Sequence, residues 1–389
     1  MKLVVVGLGQ CGGRLADEFA RLNERARSQR GIEIITGAFA VNTDAADLSG
    51  LQTISGDYQH RILIGGRMTG GHGVGKINEL GAEVAKDDAD KVVDAIRTAR
   101  HFFETDAFLL IAGVGGGTGS GAISIVAQML RERYLDKPIY AMAVLPFAHE
   151  EDTEERTVYN AATCLKSLYP MVDAVFLVDN QRYVRKDFSL KNNLTKINSL
   201  ITEPFYNLLC AGEEKKSKHI GAKIVDAGDI IQSLAGWTVI GHGSTQLPAW
   251  SPFSSSNFTK KGSETNRGIQ AMDEALSELS LKCNPADSGR AIYLVSAPAK
   301  EMNMDLVKGL GDYLRTISPE AVIRNGDYPI GGGLIDITLL LSEFNAVEKV
   351  KGYYTKASGA IHQLKGRREE FEGKLKEIEE ASKDLPSLL

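Results

Sequence analysis

The stretch Ala107-Phe-Leu-Leu-Ile-Ala-Gly-Val-Gly-Gly-Gly-Thr-Gly-Ser-Gly121 decides the fold. Its apolar first half predicts a buried strand, and its second half holds five glycines, one Thr and one Ser before a helical pattern begins. A strand that passes through glycines into a helix leaves backbone N–H groups free to bind an anion at the helix N-terminus. A flexible surface turn is the alternative, but it rarely has this composition between a strand and a helix. We therefore predict a nucleotide phosphate site formed by Gly115, Gly116, Gly117, Thr118, Gly119 and Ser120.

Strand and helix patterns alternate through the first half of the chain. This alternation predicts an α/β fold, a parallel-sheet nucleotide-binding domain with helices on both faces. A long apolar-periodic segment predicts a central helix, and a Ser/Pro-rich stretch marks a loop before a second, smaller α+β domain. The predicted strands are Leu3–Val6, Ile34–Val41, Phe108–Ala112, Ile139–Val144 and Ala174–Val178, and the predicted helices include Gly12–Arg27, Asp88–Phe103, Glu155–Leu168 and Leu194–Leu209.

These patterns divide the chain into four parts. Residues 1–190 form the nucleotide-binding domain, and residues 191–243 hold the central helix and the loop that follows it. Residues 244–345 form the C-terminal α+β domain. Residues 346–389 are a charged segment with one apolar stripe, which predicts a helix that docks on the body of the protein.

Composition limits the partners and the location of the protein. A net charge of -5 lacks the basic excess that attracts nucleic acid or anionic lipid, so we expect no nucleic-acid partner. Four cysteines lie far apart without Cys-x-x-Cys spacing, which favours neither a zinc site nor a disulfide framework and fits a reducing cytoplasm. No apolar run reaches the ~20 residues of a membrane span, so direct insertion into a membrane is not expected.

Two further glycine clusters accompany the phosphate site. Gly7, Gly9 and Gly12 match Gly-x-Gly-x-x-Gly after the first strand, which raises a dinucleotide-dependent oxidoreductase as an alternative, with Asp44 as its ribose acid. That fold does not need a second phosphate loop, so two loops around one mononucleotide fit better. The cluster Gly70–Lys76 falls short of a P-loop, because Ile77 replaces the required Ser or Thr.

These motifs together resemble the tubulin and FtsZ superfamily of GTPases. The heptapeptide Gly115–Gly121 is similar to the superfamily signature, and Gly9-Gln-Cys-Gly12 is similar to the first tubulin glycine loop. The resemblance covers roughly residues 1 to 345, and its motifs occur in the family's order. The remaining motifs that resemble the family are Val41-Asn-Thr-Asp44, Gly70–Gly75, Val178-Asp-Asn180, Asn198, Ile224–Asp229 with Trp237–Gly243, and Asn266-Arg267.

The resemblance implies a GTP or GDP site on the first domain, with Mg²⁺ expected from triphosphate chemistry and no metal cage of the protein's own. Asn180 and Asn198 would pair with guanine, since an amide side chain offers both a donor and an acceptor. A turn residue and a helix-surface residue are their alternative roles. The implied contacts outside the phosphate loop are Gly9, Gln10, Cys11, Gly12, Asn42, Asp44, Gly71, Gly73, Glu151, Asn180 and Asn198.

The resemblance also implies a shared catalytic site. Asp226 and Asp229 would lie on the opposite face and polarise the water that attacks the GTP of the adjoining subunit, so that assembly into filaments is required for hydrolysis. Capping the helix that follows is their alternative role.

Three positions depart from the family pattern. Ile224 stands where FtsZ has an Asn, and Leu194 stands where an aromatic ring usually meets guanine. Asp152 and Glu155 compete with Glu151 for the acid near the ribose, with Arg156 as the basic candidate.

The C-terminal segment points to one branch of the superfamily. It lacks the linker and terminal peptide typical of FtsZ, and the chain is most similar to the archaeal CetZ group, which is linked to cell shape. We therefore expect a polymerising cytoskeletal GTPase in cell-shape control or division, with accessory cytoskeletal partners. A nucleotide-binding scaffold without hydrolysis is a further alternative, suggested by Ile224 and Leu194.

Overall fold

The computed structural model describes residues 1–184, 190–247 and 257–359. Its strands are β1 (Leu3–Leu8), β2 (Ile35–Asn42), β3 (Arg61–Leu63), β4 (Ala107–Gly113), β5 (Ile139–Leu145), β6 (Ala174–Asp179), β7 (Gly236–Gln246), β8 (Arg290–Ala297), β9 (Val322–Pro329) and β10 (Leu334–Ser342). Its helices are α1 (Gly9–Arg30), α2 (Ala45–Ser49), α3 (Gly66–Thr69), α4 (Asn78–Arg97), α5 (Thr118–Arg133), α6 (Ala148–Thr153), α7 (Glu155–Leu168), α8 (Leu190–Ala211), α9 (Ala227–Ser233), α10 (Asn257–Ser277), α11 (Met304–Ile317) and α12 (residues 348–359).

One sheet runs through the molecule in the order β3-β2-β1-β4-β5-β6-β7-β10-β8-β9. All pairings from β3 to β7 are parallel. These strands are almost uninterrupted apolar runs because helices cover both faces of the sheet. One face packs against α1 and α8 through side chains such as Phe19 and Phe205, and the other against α4, α5 and α7 through Val84, Ile123 and Leu165. This confirms the predicted α/β fold.

Strand β7 joins the two halves of the molecule. Its first residues pair in parallel with β6, and its remaining length pairs antiparallel with β10, which in turn pairs antiparallel with β8. The second half therefore mixes strand directions, as the predicted α+β part requires. The sheet is continuous across both halves, and the predicted boundary after residue 243 falls within β7.

Helix α8 runs alongside the parallel half of the sheet. With 22 residues it is about 33 Å long. Its N-terminal half adjoins the loops after the parallel strands, and Gly212 follows its C-terminal end. The sequence predicts a helix over Asp88–Phe103, whereas α4 begins earlier, at Asn78. The close approach of Gly81 to Gly117 and of Gly121 to Asn78 packs the start of α4 beside α5.

Helix α12 docks on the body, as predicted for the start of the C-terminal segment. Val350, Tyr353 and Ala357 are buried in the core that includes α7. The rest of the predicted segment, residues 360–389, lies outside the described residues. Of the helices that are described, none has the length and apolarity needed to cross a bilayer.

Candidate nucleotide-binding site

A cavity of about 490 Å³ opens at the carboxyl ends of the parallel strands. The loops after β1 and β4 form its centre, at the point where the strand order changes direction, which is where open α/β sheets bind ligands. Most of the residues predicted from the sequence come together here. They are Gly9, Gln10, Cys11, Asn42, Asp44, Gly73, Gly115, Gly116, Gly117, Thr118, Gly119, Asn180 and Asn198.

The three glycine loops stack with their backbones in contact. A Cβ on Gly9, whose φ is +71°, would lie 2.9 Å from the Gly119 nitrogen, and a Cβ on Gly119 would lie 2.7 Å from the Leu8 oxygen. On the other side, a Cβ on Gly117 would lie 2.9 Å from the Lys76 Cα. Side chains at these positions would push the loops apart and fill the space that a phosphate needs.

Asn160 on α7 orients the phosphate loop, and sequence reasoning missed it. The residue is fully buried, and its Nδ2 donates to the carbonyl oxygens of Lys76 (2.9 Å), Gly116 (3.0 Å) and Gly115 (3.2 Å). In a planar trans peptide the N–H points opposite to the C=O, so these contacts turn the amides of Gly116 and Gly117 away from Asn160. No described residue accepts a hydrogen bond from those two amides. They are available to an anion in the cavity.

A second polar cluster in the cavity is formed by residues at the end of β2 and the start of α2. The carboxylate of Asp47, which the sequence analysis did not single out, accepts hydrogen bonds from Gln10 Nε2 (2.6 Å) and Asn42 Nδ2 (3.1 Å). Asp44 caps α2, since its Oδ1 accepts from the amide of Ala46 (2.8 Å). The Asp-x-x-Asp spacing at the start of a short helix was the available signal.

The part of the cavity near β6 and α8 is partly apolar. Asn180 follows β6, and Asn198 projects from α8 into the same cavity beside Leu194. Aromatic groups are supplied from α6 and its N-cap, where the rings of Phe147 and His149 stack 5.6 Å apart. The cavity therefore has aromatic rings despite Leu194.

Both basic and acidic side chains line the cavity. Arg14 and Lys76 line the cavity together with Asp44, Asp47 and Glu150. Burial raises the pKa of the Cys11 thiol to about 12, so that thiol is neutral at physiological pH and has no nucleophilic role there.

Three predicted contacts are structural and do not line the cavity. Gly12 packs against β4, where a Cβ would lie 2.1 Å from the Ile111 oxygen. Gly71 accepts a hydrogen bond from the amide of Ala45 through its carbonyl, and the Ser120 hydroxyl donates to the Gly116 carbonyl. Each of these residues shapes a loop and leaves the cavity to its neighbours.

Glu151 must also be corrected, because its side chain turns away from the cavity. Its carboxylate is 7% exposed and accepts hydrogen bonds from Lys349 Nζ (2.7 Å) and Tyr353 Oη (2.6 Å) of α12. Burial together with this carboxylate raises the pKa of Tyr353 far above its usual range. Glu150 lines the cavity instead. The neighbouring candidate Arg156 binds the Lys76 carbonyl and the side chains of Asn78 and Glu79.

Asp226 and Asp229 lie at the far end of α8. Asp226 is beside Gly212, where a Cβ would be 3.0 Å from the Asp226 Cα. Asn198, the last cavity residue on α8, is thirteen residues before Ala211, which corresponds to about 20 Å along the helix. Within one chain these carboxylates therefore do not reach the cavity.

Asp226 has the capping role that was the alternative for these two aspartates. Asp226 Oδ1 accepts a hydrogen bond from the Asp229 amide (2.9 Å) as the N-cap of α9. The Asp229 side chain is 42% exposed and lies 3.9 Å from Arg324 Nε. Ile224, two residues before Asp226, is 45% exposed. Capping engages one oxygen of Asp226 and leaves the Asp229 carboxylate facing solvent.

Comparison with known proteins agrees with this geometry. Residues 2–186 match the GTPase domain of the Tubulin/FtsZ family, and residues 187–359 match the C-terminal domain of tubulin-like CetZ. Tubulin-like protein CetZ1 of Haloferax volcanii is 32% identical over 369 residues, which is 90% of each chain.

Two solved structures from the same organism superpose closely. A GDP-bound monomer of CetZ1 has a TM-score of 0.78 at 31% identity, covering 92% of this chain and 99% of that chain. A GTPγS-bound protofilament of CetZ2 has a TM-score of 0.78 at 30% identity, covering 94% of this chain and all of the other.

Proposed function

Because this chain belongs to the tubulin/FtsZ family, in its CetZ branch, we propose that it is a cytoskeletal GTPase that assembles head to tail. The observation that carries the proposal is the separation along α8. A complete nucleotide cavity lies at one end, and an exposed carboxylate lies about 20 Å from it at the other. The cellular role proposed with it is control of cell shape or division in the cytoplasm.

The nucleotide would lie with its phosphates on the stacked glycine loops. The amides that Asn160 turns away from itself, at Gly116 and Gly117, would bind phosphate oxygens at the N-terminus of α5. Asn180 and Asn198 would read the edge of guanine at the other end. The nucleotides bound in the two CetZ structures, GDP and GTPγS, support this assignment.

The wall also fits a Mg²⁺ ion carried by the triphosphate. Magnesium prefers one or two carboxylates together with phosphate oxygens and water, and Asp44 and Asp47 offer carboxylates there. In the part of the chain that the structure describes, no group of three His, Cys, Asp or Glu side chains forms a metal cage. The bound ion would neutralise phosphate charge, while Gln10 and Asn42 hold Asp47 in place.

Hydrolysis would take place between two subunits. Asp229 of one copy would orient the water that attacks the terminal phosphate held by the next copy, with Asp226 holding the start of α9. A contact between two different faces is heterologous and repeats into an open filament. The CetZ2 protofilament supports assembly of this kind.

Sedimentation and phosphate release test the proposal together. We expect GTP, and GDP much less, to drive the wild-type chain into a pellet, and turnover per molecule to rise steeply with protein concentration. Asp229→Ala should still pellet with GTP but release phosphate far more slowly. A matched control is Asp312→Asn, which removes the charge of a surface ion pair with Arg315 on α11. Turnover that does not depend on concentration would contradict the proposal.

A further inference from the structure

We propose that Lys76 contacts the terminal phosphate of the bound triphosphate and exchanges its partner Glu154 for that phosphate. Lys76 would then be the residue that distinguishes a triphosphate from a diphosphate. This inference rests on the proposed function, and it assigns a phosphate-binding charge to a loop made mostly of glycine.

The backbone of Lys76 is held in an unusual conformation. Its φ is +62°, in the left-handed region that glycine normally occupies. Its carbonyl accepts hydrogen bonds from Asn160 Nδ2 (2.9 Å) and Arg156 Nε (3.4 Å), and its Cα packs on Gly117. Asn160 thus fixes the position of Lys76 relative to the phosphate loop, since the same amide group binds Gly115 and Gly116.

The side chain lies at the phosphate end of the cavity. Lys76 lines the cavity beside Gly73 and Gly117, and its Nζ lies 3.5 Å from the hydroxyl of Thr157, another lining residue. The Nζ also pairs with Glu154, in the link between α6 and α7. Both side chains of that pair are more than 40% exposed, so water screens the pair and its exchange for a phosphate is inexpensive.

The charges of the cavity favour such a cation. Three carboxylates line it, those of Asp44, Asp47 and Glu150, and among the described lining residues the lysine and arginine side chains are Lys76 and Arg14. Arg14 lies on α1, two residues after Gly12 of the first glycine loop, whereas Lys76 adjoins Gly117 of the phosphate loop. A bound triphosphate would add its negative charge near Lys76.

This lysine would act without the other parts of a P-loop. The next residue is Ile77, which has no hydroxyl to bind Mg²⁺ and is 47% exposed. Lys76 would therefore contribute a point charge to phosphate binding, and the metal would depend on carboxylates such as those of Asp44 and Asp47.

Equilibrium binding of GTP and GDP to the full chain tests the inference, at protein concentrations too low for assembly. Lys76→Met keeps the length of the side chain and removes its charge. We expect it to weaken GTP binding about tenfold or more and GDP binding by less than about threefold. Lys76→Arg should retain most of the preference. Glu154→Gln should tighten GTP binding, because Lys76 is released from its present partner.

Thermal unfolding of each variant without nucleotide shows whether it is folded. Equal weakening of GTP and GDP by Lys76→Met, or no weakening of either, would overturn the role of Lys76 while leaving the proposed function intact. If the wild-type chain bound neither nucleotide, the proposed function would fail, and this inference would fail with it.

Discussion

The two ends of α8 differ in how completely each is built. At the N-terminal end, three glycine loops stack backbone to backbone, Asn160 binds carbonyls of two of these loops, and polar side chains line the cavity. At the C-terminal end, the Asp229 side chain is 42% exposed and lies 3.9 Å from Arg324 Nε. A chain whose catalytic site is divided between neighbours needs a complete nucleotide site at one end. At its other end it needs an acid that is exposed to the next subunit.

The largest effect is expected from a substitution in the nucleotide-binding site at the N-terminal end of α8. Gly119→Val would place a branched side chain where even a Cβ lies 2.7 Å from the Leu8 oxygen. We expect nucleotide binding to fall by about a hundredfold or more, equivalent to about 3 kcal/mol. Gly331→Val is the matched control, since nothing lies within 4 Å of a Cβ there. Isothermal titration with GTP measures both, and near-normal binding by Gly119→Val would contradict the stacked arrangement.

The next substitution changes the acid at the C-terminal end of α8 and leaves the nucleotide-binding site intact. Asp229→Asn preserves the shape of the side chain and removes its charge. We expect turnover in assembled protein to fall by about a hundredfold or more, while GTP affinity of the monomer changes less than about twofold. Phosphate release above the assembly concentration and binding below it give the two values. A loss of affinity equal to the loss of turnover would place Asp229 in the cavity of its own chain.

A smaller effect is expected from the support behind the phosphate loop. Asn160→Ala removes the donor shared by three carbonyls, so we expect a loss of about 2–3 kcal/mol in the free energy of unfolding. GTP affinity should fall about tenfold, because the amides of the loop lose their orientation. Denaturant unfolding and nucleotide titration measure the two quantities. Unchanged affinity would show that the loop holds its shape without Asn160.

The smallest effect is expected away from both ends. Glu151→Gln keeps an acceptor for Tyr353 but removes the charge that pairs with Lys349. Because Lys349 is about one-third exposed, we expect a cost of about 1 kcal/mol in unfolding free energy and little change in GTP affinity. Chemical denaturation with and without GTP tests this. A large loss of affinity would show that α12 controls the cavity through α6.

The sequence was a good guide to what depends on local pattern. Helix α7 begins and ends where its periodicity predicts, and the phosphate loop lies at the carboxyl end of β4 as its glycines indicate. The resemblance to the tubulin/FtsZ family also pointed to Asn180 and Asn198, which line the cavity, although their contact with guanine stays a prediction.

Contacts between distant parts of the chain could not be predicted in this way. Asn160 looks like any polar residue of an amphipathic helix, and only packing brings it under loops 45 and 84 residues away. Glu151 was chosen among three neighbouring acids, and its true partners on α12 lie about 200 residues later. Gly12 was read as a phosphate contact because its motif does not show which glycine faces the cavity and which faces β4.

Mixing two inactive variants tests the divided catalytic site most directly. Asp229→Asn binds nucleotide but lacks the acid, and Gly119→Val lacks the nucleotide but keeps the acid. We predict that the mixture releases phosphate well above the sum of the two variants alone, because some contacts then combine an intact cavity with an intact Asp229. A mixture that co-sediments yet works no faster than that sum would contradict the account.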